Sequence, residues 1–187
     1  MPSSAETLLD QAVELVRSEL KERQPRRFAH LRGAKERAES VRPLFSREDG
    51  DLLVVTALLH DVGYCDAAGL TGFHPLDGAR FLSGLGYPDR LCHLVAHHSC
   101  ARLEADLRGL GPQLALWEDE RTALRDALWW VDMTTSPDGE VVPFEVRIAE
   151  IQERYGPGDV VTRFIRAAEP ELRGAVERTE ARLVSLR

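Results

Sequence analysis

The sequence predicts an all-α protein folded as a helical bundle. Apolar residues recur at intervals of three and four along most of the 187 residues, and no stretch alternates apolar and polar residues long enough to require a sheet. Hydrophobic residues make up 43% of the chain, which is enough for one substantial core and little for a second. We therefore expect a single domain over 1–187, with a core at about 26–155 and C-terminal helices at 158–187 packed on it.

The first two predicted helices precede Pro43. Ser3 or Ser4 can cap the first helix, whose apolar positions form one stripe between residues 8 and 20. In the second helix, apolar residues recur at helical spacing until Pro43 ends it. His30 should therefore lie inside a helix.

The next two predicted helices carry histidines at their ends. The segment DLLVVTALLHDVG begins a strongly apolar helix at its first aspartate or at an earlier acidic residue, and its final glycine ends the helix. His60 and Asp61 then lie in the last turn. After a loop rich in glycine, Pro75 fits the first position of a new helix, which places His74 at or next to the N-cap.

The second half of the chain continues with helices. One begins at Pro88 and ends near the sequence HHSC, and another over 116–133 places Asp132 near its end. The segment TTSPDGEVVP predicts a turn with a few extended residues at most. Helices at about 144–155, 160–168 and 171–186 complete the chain.

Composition and charge narrow the classes of function. No apolar stretch reaches the roughly 20 residues that cross a bilayer, and the N-terminus lacks the features of a secretory signal, so we expect a cytoplasmic protein without a membrane partner. The net charge of -7 disfavours binding of duplex nucleic acid. Basic residues nevertheless crowd the segment around His30 and could attract a phosphate group. The odd number of cysteines predicts free thiols at Cys65, Cys92 and Cys100.

Two aspartates lie where an isolated helix would not favour them. Asp61 and Asp132 each follow an apolar helix near its partially negative C-terminal end, at a cost of about 0.3–1 kcal/mol. A cation beside each carboxylate would reverse the sign of that interaction. Ionised carboxylates and neutral imidazoles are the usual protein ligands of divalent metals, so the pattern predicts a metal site.

The number of candidate ligands bears on the number of ions. One octahedral ion accepts about six ligands, whereas two ions roughly 3.5–4 Å apart accept more and keep positions open for water and substrate. We therefore expect two divalent transition-metal ions, with iron or manganese favoured over zinc or nickel. The predicted metal ligands are His30, His60, Asp61, His74, His97, His98 and Asp132.

The order of these residues resembles a known family. The pattern resembles that of the HD-domain superfamily of metal-dependent phosphohydrolases. It consists of His30, the His60-Asp61 pair and Asp132, in that order and on helices. His74 and the His97-His98 pair resemble the dinuclear branch, in which the matching residues supply a second metal. That branch includes cyclic-dinucleotide phosphodiesterases and bacterial diadenosine tetraphosphate hydrolases.

The resemblance implies a fold and an activity. It implies an HD-type helical bundle in which metal-activated water cleaves a phosphomonoester or phosphodiester of a small, nucleotide-like substrate. His60 and Asp61 would be the catalytic residues. Two alternatives stay open, namely a di-iron oxygenase of the HD type and a non-catalytic regulatory domain that binds metal or nucleotide.

Other residues near the motifs are candidates for substrate contact. Arg27, Lys35 and Arg147 are close in sequence to predicted ligands and could bind phosphate oxygens. Thr135 could orient a ligand or cap a turn. Because adjacent helical residues point about 100° apart, either His97 or His98 could contact the substrate instead of a metal. Trp129 and Trp130 are expected in the core.

Overall fold

The computed structural model describes the backbone of residues 4–185 and the side chains of residues 7–185. Within that range the chain forms α-helices and short 3₁₀ turns and no β-strand, so the all-α prediction is confirmed. No helix in this range has the length and apolar character needed to span a membrane. The helices are α1 (Ser4–Leu20), α2 (Pro25–Val41), α3 (Arg47–Leu59), α4 (His74–Gly84), α5 (Asp89–Ala96), α6 (Ala101–Leu107), α7 (Gly111–Leu114), α8 (Ala123–Met133), α9 (Phe144–Tyr155) and α10 (Val160–Ser185).

Helix α3 lies between two apolar clusters. Leu53 and Ala57 pack with residues of α8 and α10 in one cluster, and Val55 and Leu59 pack with α1, α4 and α5 in the other. A helix that is apolar on all sides is stable only when it is buried on all sides. Each large apolar side chain buried in this way contributes about 1.5–3 kcal/mol. The two clusters therefore hold the C-terminal end of α3 in a fixed place.

Several predicted helix boundaries were wrong. Helix α3 begins before the predicted acidic residues, because the Ser46 hydroxyl accepts a hydrogen bond from the Asp49 amide and caps the helix there. The helix predicted over 116–133 begins only at Ala123, after Arg121 with a φ of 42° and the capping residue Thr122. The predicted cap at Ser3 or Ser4 falls outside the residues whose side chains are described.

The two helices predicted at the C-terminus form the single helix α10. Pro170 lies inside it, although proline removes one backbone donor and usually interrupts a helix. Buried residues on both sides of the proline, Ile165 and Ala168 before it and Leu172 and Ala175 after it, belong to the same apolar cluster. Packing along the whole length of α10 therefore outweighs the local preference for a break.

Two smaller predictions agree with the structure. The segment after Asp132 forms a turn in which the Gly139 amide donates to the Ser136 carbonyl, and its extended part is one isolated bridge between Thr135 and Val141. Cys65, Cys92 and Cys100 are free and buried.

Candidate metal centre

Six of the seven predicted ligands converge at one place in the structure. Donor atoms of His30, His60 and Asp132 lie within 4.8 Å of one another, and so do those of His60, Asp61 and His98. His74 joins the second group, because its Nε2 lies 3.1 Å from Oδ1 of Asp61. We refer to His30, His60, Asp61, His74, His98 and Asp132 together as the histidine-aspartate cluster.

The ends of helices bring most of these side chains together. His60 follows the last residue of α3, and Asp61 precedes the 3₁₀ turn Val62–Tyr64. His74 is the first residue of α4, and Asp132 lies one residue before the end of α8. His30 differs, because it lies in the middle of α2 on its buried face. Five helices or their ends thus supply one site.

Three of the histidine rings are oriented by backbone carbonyl groups. Nδ1 lies 3.0 Å from the Ser136 carbonyl oxygen in His30, 2.8 Å from that of Ala57 in His60, and 2.6 Å from that of Val95 in His98. A carbonyl oxygen can only accept, so each Nδ1 carries the hydrogen. In a neutral ring, Nε2 then has a free lone pair. Hydrogen bonds of this kind fix the tautomer and orientation of metal-binding histidines.

The contacts between the free nitrogen atoms test whether a cation fits. Nε2 of His30 lies 3.4 Å from Nε2 of His60, and Nε2 of His74 lies 3.1 Å from Nε2 of His98. Two lone pairs at such distances repel each other unless a proton or a cation lies between them. The donors are imidazole nitrogens and carboxylate oxygens, which suit divalent transition metals. The cluster therefore fits the metal ions that its sequence pattern predicts.

Asp61 and Asp132 are buried but remain acidic. Burial alone would raise the pKa of Asp61, but the Arg27 guanidinium and the His60, His74 and His98 rings outweigh burial and hold that pKa well below its usual range. Burial likewise opposes ionisation of Asp132, whose pKa is nevertheless held well below normal by the neighbouring His30 and His60 rings. Both carboxylates are therefore available as anionic ligands.

Burial and neighbouring charges shift the pKa values of His30 and His60 in opposite directions. Burial lowers the pKa of His30 below its ordinary value. Burial also acts on His60, but the adjacent Asp61 and Asp132 carboxylates reverse its effect and raise the pKa. A neutral His30 ring is ready to act as a ligand. His60 must release its proton when a metal ion binds, so metal affinity should fall at low pH.

The backbone next to His98 adopts an uncommon conformation. Ser99 and Cys100 have φ values of 46° and 62°, in the left-handed region that residues other than glycine rarely occupy. The Ser99 hydroxyl donates a hydrogen bond to Oδ2 of Asp132. This bend lies between His98 and the start of α6, and the Ser99 hydrogen bond connects it to the end of α8. Backbone strain of this kind is typical of functional sites.

His97 does not reach the cluster, and the prediction that it binds a metal is corrected here. Its Nε2 donates to the Trp117 carbonyl oxygen at 2.9 Å, and its own carbonyl oxygen accepts from Nε1 of Trp129. The ring lines a small pocket together with Asp119 and Cys100, and no residue of the cluster lines that pocket. Burial lowers the pKa of His97, so the ring is neutral and serves the core.

Two predicted substrate contacts are also corrected. Lys35 lies 3.5 Å from Oε1 of Glu39 and lines neither cavity beside the cluster. Thr135 is fully buried, and its hydroxyl donates to the Val131 carbonyl oxygen of α8 at 2.7 Å. Trp129 and Trp130 are buried in the core as predicted.

The two predicted arginines do lie at the cluster. Arg27 donates to Oδ2 of Asp61, and its guanidinium stacks 3.9 Å from the centre of the Tyr64 ring. Arg147 lies 3.6 Å from Oδ1 of Asp132 and donates to Glu150 at 2.6 Å. Both side chains line the cleft above the cluster, so each could contact a bound phosphate group.

The cleft contains residues that the sequence did not suggest. Its empty volume is about 550 Å³ when its open mouth is included. One wall is the polar cluster, and the opposite wall comes from α9 and α10 with Ile151, Phe164 and Ile165. Tyr64, Glu104, Arg154 and Tyr155 also line it. No pattern in the sequence marked these four residues, although Tyr64 lies only three residues after Asp61.

One comparison with known proteins identifies a family. A family model described as "HD domain" matches residues 27–148, which is more than half of the chain. No curated protein and no solved structure is similar enough to this chain to be matched. The matched segment begins at Arg27 and contains all six residues of the histidine-aspartate cluster.

Proposed function

The chain belongs to the HD-domain family, and from this premise we propose that it is a metal-dependent phosphohydrolase acting on a small, nucleotide-like phosphomonoester or phosphodiester. The observation that carries the proposal is the set of inward-facing Nε2 atoms. Nε2 of His30 and of His60 faces both buried carboxylates, and Nε2 of His98 faces Asp61. In all three rings a backbone carbonyl holds the other nitrogen. Such an arrangement is costly without a cation and well suited to one.

We propose two metal positions that share Asp61. Its Oδ1 lies 3.8 Å from Nε2 of His60 and 3.6 Å from Nε2 of His98, and its Oδ2 lies 4.0 Å from Nε2 of His30. His30, His60 and Asp132 would hold one ion, and His74 and His98 the other. Iron or manganese is the proposed metal. Divalent ions bound in this way supply charge stabilisation for a phosphoryl group and lower the pKa of water.

The protein's own side chains would bind and orient the substrate. The guanidinium groups of Arg27 and Arg147 lie on the cleft wall beside Asp61 and Asp132, where they can donate to phosphoryl oxygens. When those carboxylates bind metal, each arginine has donors free for the substrate. The apolar wall formed by α9 and α10 would face the organic part of the ester and exclude water from it.

The test joins metal analysis to a substrate screen. Protein purified without oxygen is analysed for metal and tested on nucleotides, dinucleoside polyphosphates, cyclic dinucleotides and sugar phosphates. We expect two ions per chain and hydrolysis of at least one class. Asp61→Asn should reduce turnover to background, and His74→Ala should leave one ion per chain.

Three results would contradict the proposal. Full activity with full metal content in Asp61→Asn would remove the cluster from the reaction. Bound metal without hydrolysis of any tested ester would favour a regulatory domain. Oxygen consumption by a redox-active di-iron form would favour an oxygenase.

A further inference from the structure

We infer that a second anion-binding pocket, next to the histidine-aspartate cluster, selects substrates that carry a second phosphoryl group. The inference rests on the proposed function and narrows its substrate class to diphosphates or bisphosphates. The pocket lies between the start of α2 and helix α9. Its lining residues are Arg26, Arg27, His30, Pro137, Arg147 and Arg154.

The pocket borders the metal centre directly. His30 lines it and also places Nε2 3.2 Å from Oδ1 of Asp132. Arg27, Arg147 and Arg154 line both this pocket and the cleft above the cluster. A ligand with two phosphoryl groups could therefore place one at the cluster and the other among the arginines.

The side chains that line the pocket are mostly cationic. Four of its lining residues are arginines and none is acidic. Arg147 and Arg154 share one carboxylate, that of Glu150, at 2.6 and 3.1 Å. Two guanidinium groups thus share one carboxylate, and each keeps further N–H donors for an anion.

One residue that lines the pocket carries a buried donor without a partner. Arg147 is 5% exposed, and its Nε–H is buried without a hydrogen-bond partner among the described residues. A buried polar group of this kind is uncommon in native proteins and calls for an explanation. A phosphate group can accept from Nε and a terminal nitrogen of one guanidinium together, so a bound anion would supply the missing acceptor.

The start of α2 points to an anion as well. Arg26 and Arg27 occupy its first turn, which contains no acidic residue. The N-terminal end of a helix carries partial positive charge, so two cations placed there repel it and each other. Arg26 has an exposed partner, Asp138, at 3.0 Å, whereas Arg27 reaches Asp61 in the cluster. A phosphoryl group between α2 and α9 would offset both repulsions.

Binding of metal-loaded protein to simple anions tests the inference. Calorimetry compares two pairs of ligands, pyrophosphate with orthophosphate and adenosine 3′,5′-bisphosphate with adenosine 5′-monophosphate. In at least one pair, the wild type should bind the ligand with two phosphoryl groups about tenfold more tightly, as expected for charge-assisted hydrogen bonds. Preference in the first pair identifies adjacent phosphoryl groups, and preference in the second identifies separated ones. Arg154→Gln should reduce the preference to about one.

Matched variants separate the pocket from general charge effects. Arg26→Gln, which changes a residue of the pocket alone, should reduce the preference without abolishing phosphate binding. Arg32→Gln removes an exposed arginine of the same helix that lines neither cavity, and should leave the preference unchanged. A wild-type preference that persists in both Arg154→Gln and Arg26→Gln would overturn the inference, because the metal centre alone would then account for it.

The outcomes also separate this inference from the proposed function. If monophosphates are hydrolysed and the wild type shows no preference for a second phosphoryl group, the inference about the pocket is wrong and the proposed phosphohydrolase function is retained. If the arginine-dependent preference is present and no phosphoester is hydrolysed, the inference about the pocket is retained and the proposed reaction is wrong.

Discussion

His97 and His98 are adjacent in sequence but serve different parts of the molecule. We expect His98→Gln to weaken binding of one metal ion at least tenfold, since the effect of changing even supporting groups of metal sites is roughly 10–100-fold. His97→Gln should retain both ions, because a glutamine amide can still donate to the Trp117 carbonyl oxygen. Metal titration of the two variants provides the measurement. Equal losses in both would place His97 in the metal centre after all.

The contribution of Asp119 to the free energy of unfolding should depend on pH. It accepts two hydrogen bonds from the buried Arg125, at 2.7 and 2.8 Å. Burial acts to raise the pKa of Asp119, but Arg125 outweighs it and the pKa is lowered. Asp119→Asn should reduce the free energy of unfolding at pH 7 by about 1–3 kcal/mol, because a buried guanidinium loses its charged partner.

The sign of the pH effect follows from the lowered pKa. The Asp119 carboxylate contributes its full stabilisation above its unfolded pKa of about 3.9 and loses it as the pH falls through the lower folded value. Urea unfolding should therefore show a difference between wild type and Asp119→Asn that is constant near neutrality and shrinks below about pH 4. Glu36→Gln, in an exposed pair with Arg32, should change stability by less than about 1 kcal/mol. A pH-independent Asp119 effect would contradict this account.

At the scale of helices, the close contact between the 3₁₀ turn Val62–Tyr64 and α4 places His74 beside Asp61. A Cβ atom on Gly63 would lie 2.0 Å from the His74 carbonyl oxygen and 2.7 Å from the Gly78 amide nitrogen. Gly63→Ala should move the start of α4, lower the free energy of unfolding by about 1–3 kcal/mol and weaken one metal site. Thermal unfolding and metal titration test both effects.

Gly84 provides the matched control for that substitution. A Cβ atom there would meet nothing within 4 Å, so Gly84→Ala should leave metal binding unchanged and stabilise α4 by no more than about 1 kcal/mol. Normal metal content in Gly63→Ala would show that α4 tolerates the shift and that its close approach does not position His74.

The helices show which parts of the fold the sequence could predict. Apolar spacing located most helices, and the unfavourable position of Asp61 and Asp132 at helix ends pointed to a cation site. The spacing did not reveal that α10 continues through Pro170, because that depends on packing along α8. It also did not separate His97 from His98, since that separation depends on where α5 ends, and the helix stops at Ala96, directly before the pair.

At the scale of the whole molecule, metal ions should stabilise the fold. Ligands that bind only the native state raise its stability by about 2.7 kcal/mol per site at a free concentration one hundred times Kd. Removing metal with a chelator should therefore lower Tm, by roughly 2–4 °C per kcal/mol for a domain of this size. Differential scanning calorimetry should show recovery on adding manganese to wild type and to His97→Gln. A matching recovery in Asp61→Asn would mean that the ions bind elsewhere.

The arrangement of helices also explains why substrate contacts were harder to predict than ligands. Arg154 reaches the cleft only because α9 packs near the start of α2, and the two segments are far apart in sequence. Lys35 is close to His30 in sequence but pairs with Glu39 instead. Proximity along the chain was therefore an incomplete guide to which cations face the cleft. A position at a helix end is shared by most residues of the histidine-aspartate cluster but also by His97, which lies outside it.

The reactivity of the three buried thiols can be used to measure local unfolding of the protein. Cys65, Cys92 and Cys100 are at most 2% exposed, and burial raises the pKa to about 11 for Cys92 and about 12 for Cys100. The reactive thiolate is thus nearly absent in the folded chain at neutral pH. Cys65 and Cys92 belong to the cluster around α4 and α5, and Cys100 to the cluster around α8 and α10. The rate at which an alkylating reagent modifies each cysteine would therefore reveal which half of the core opens first.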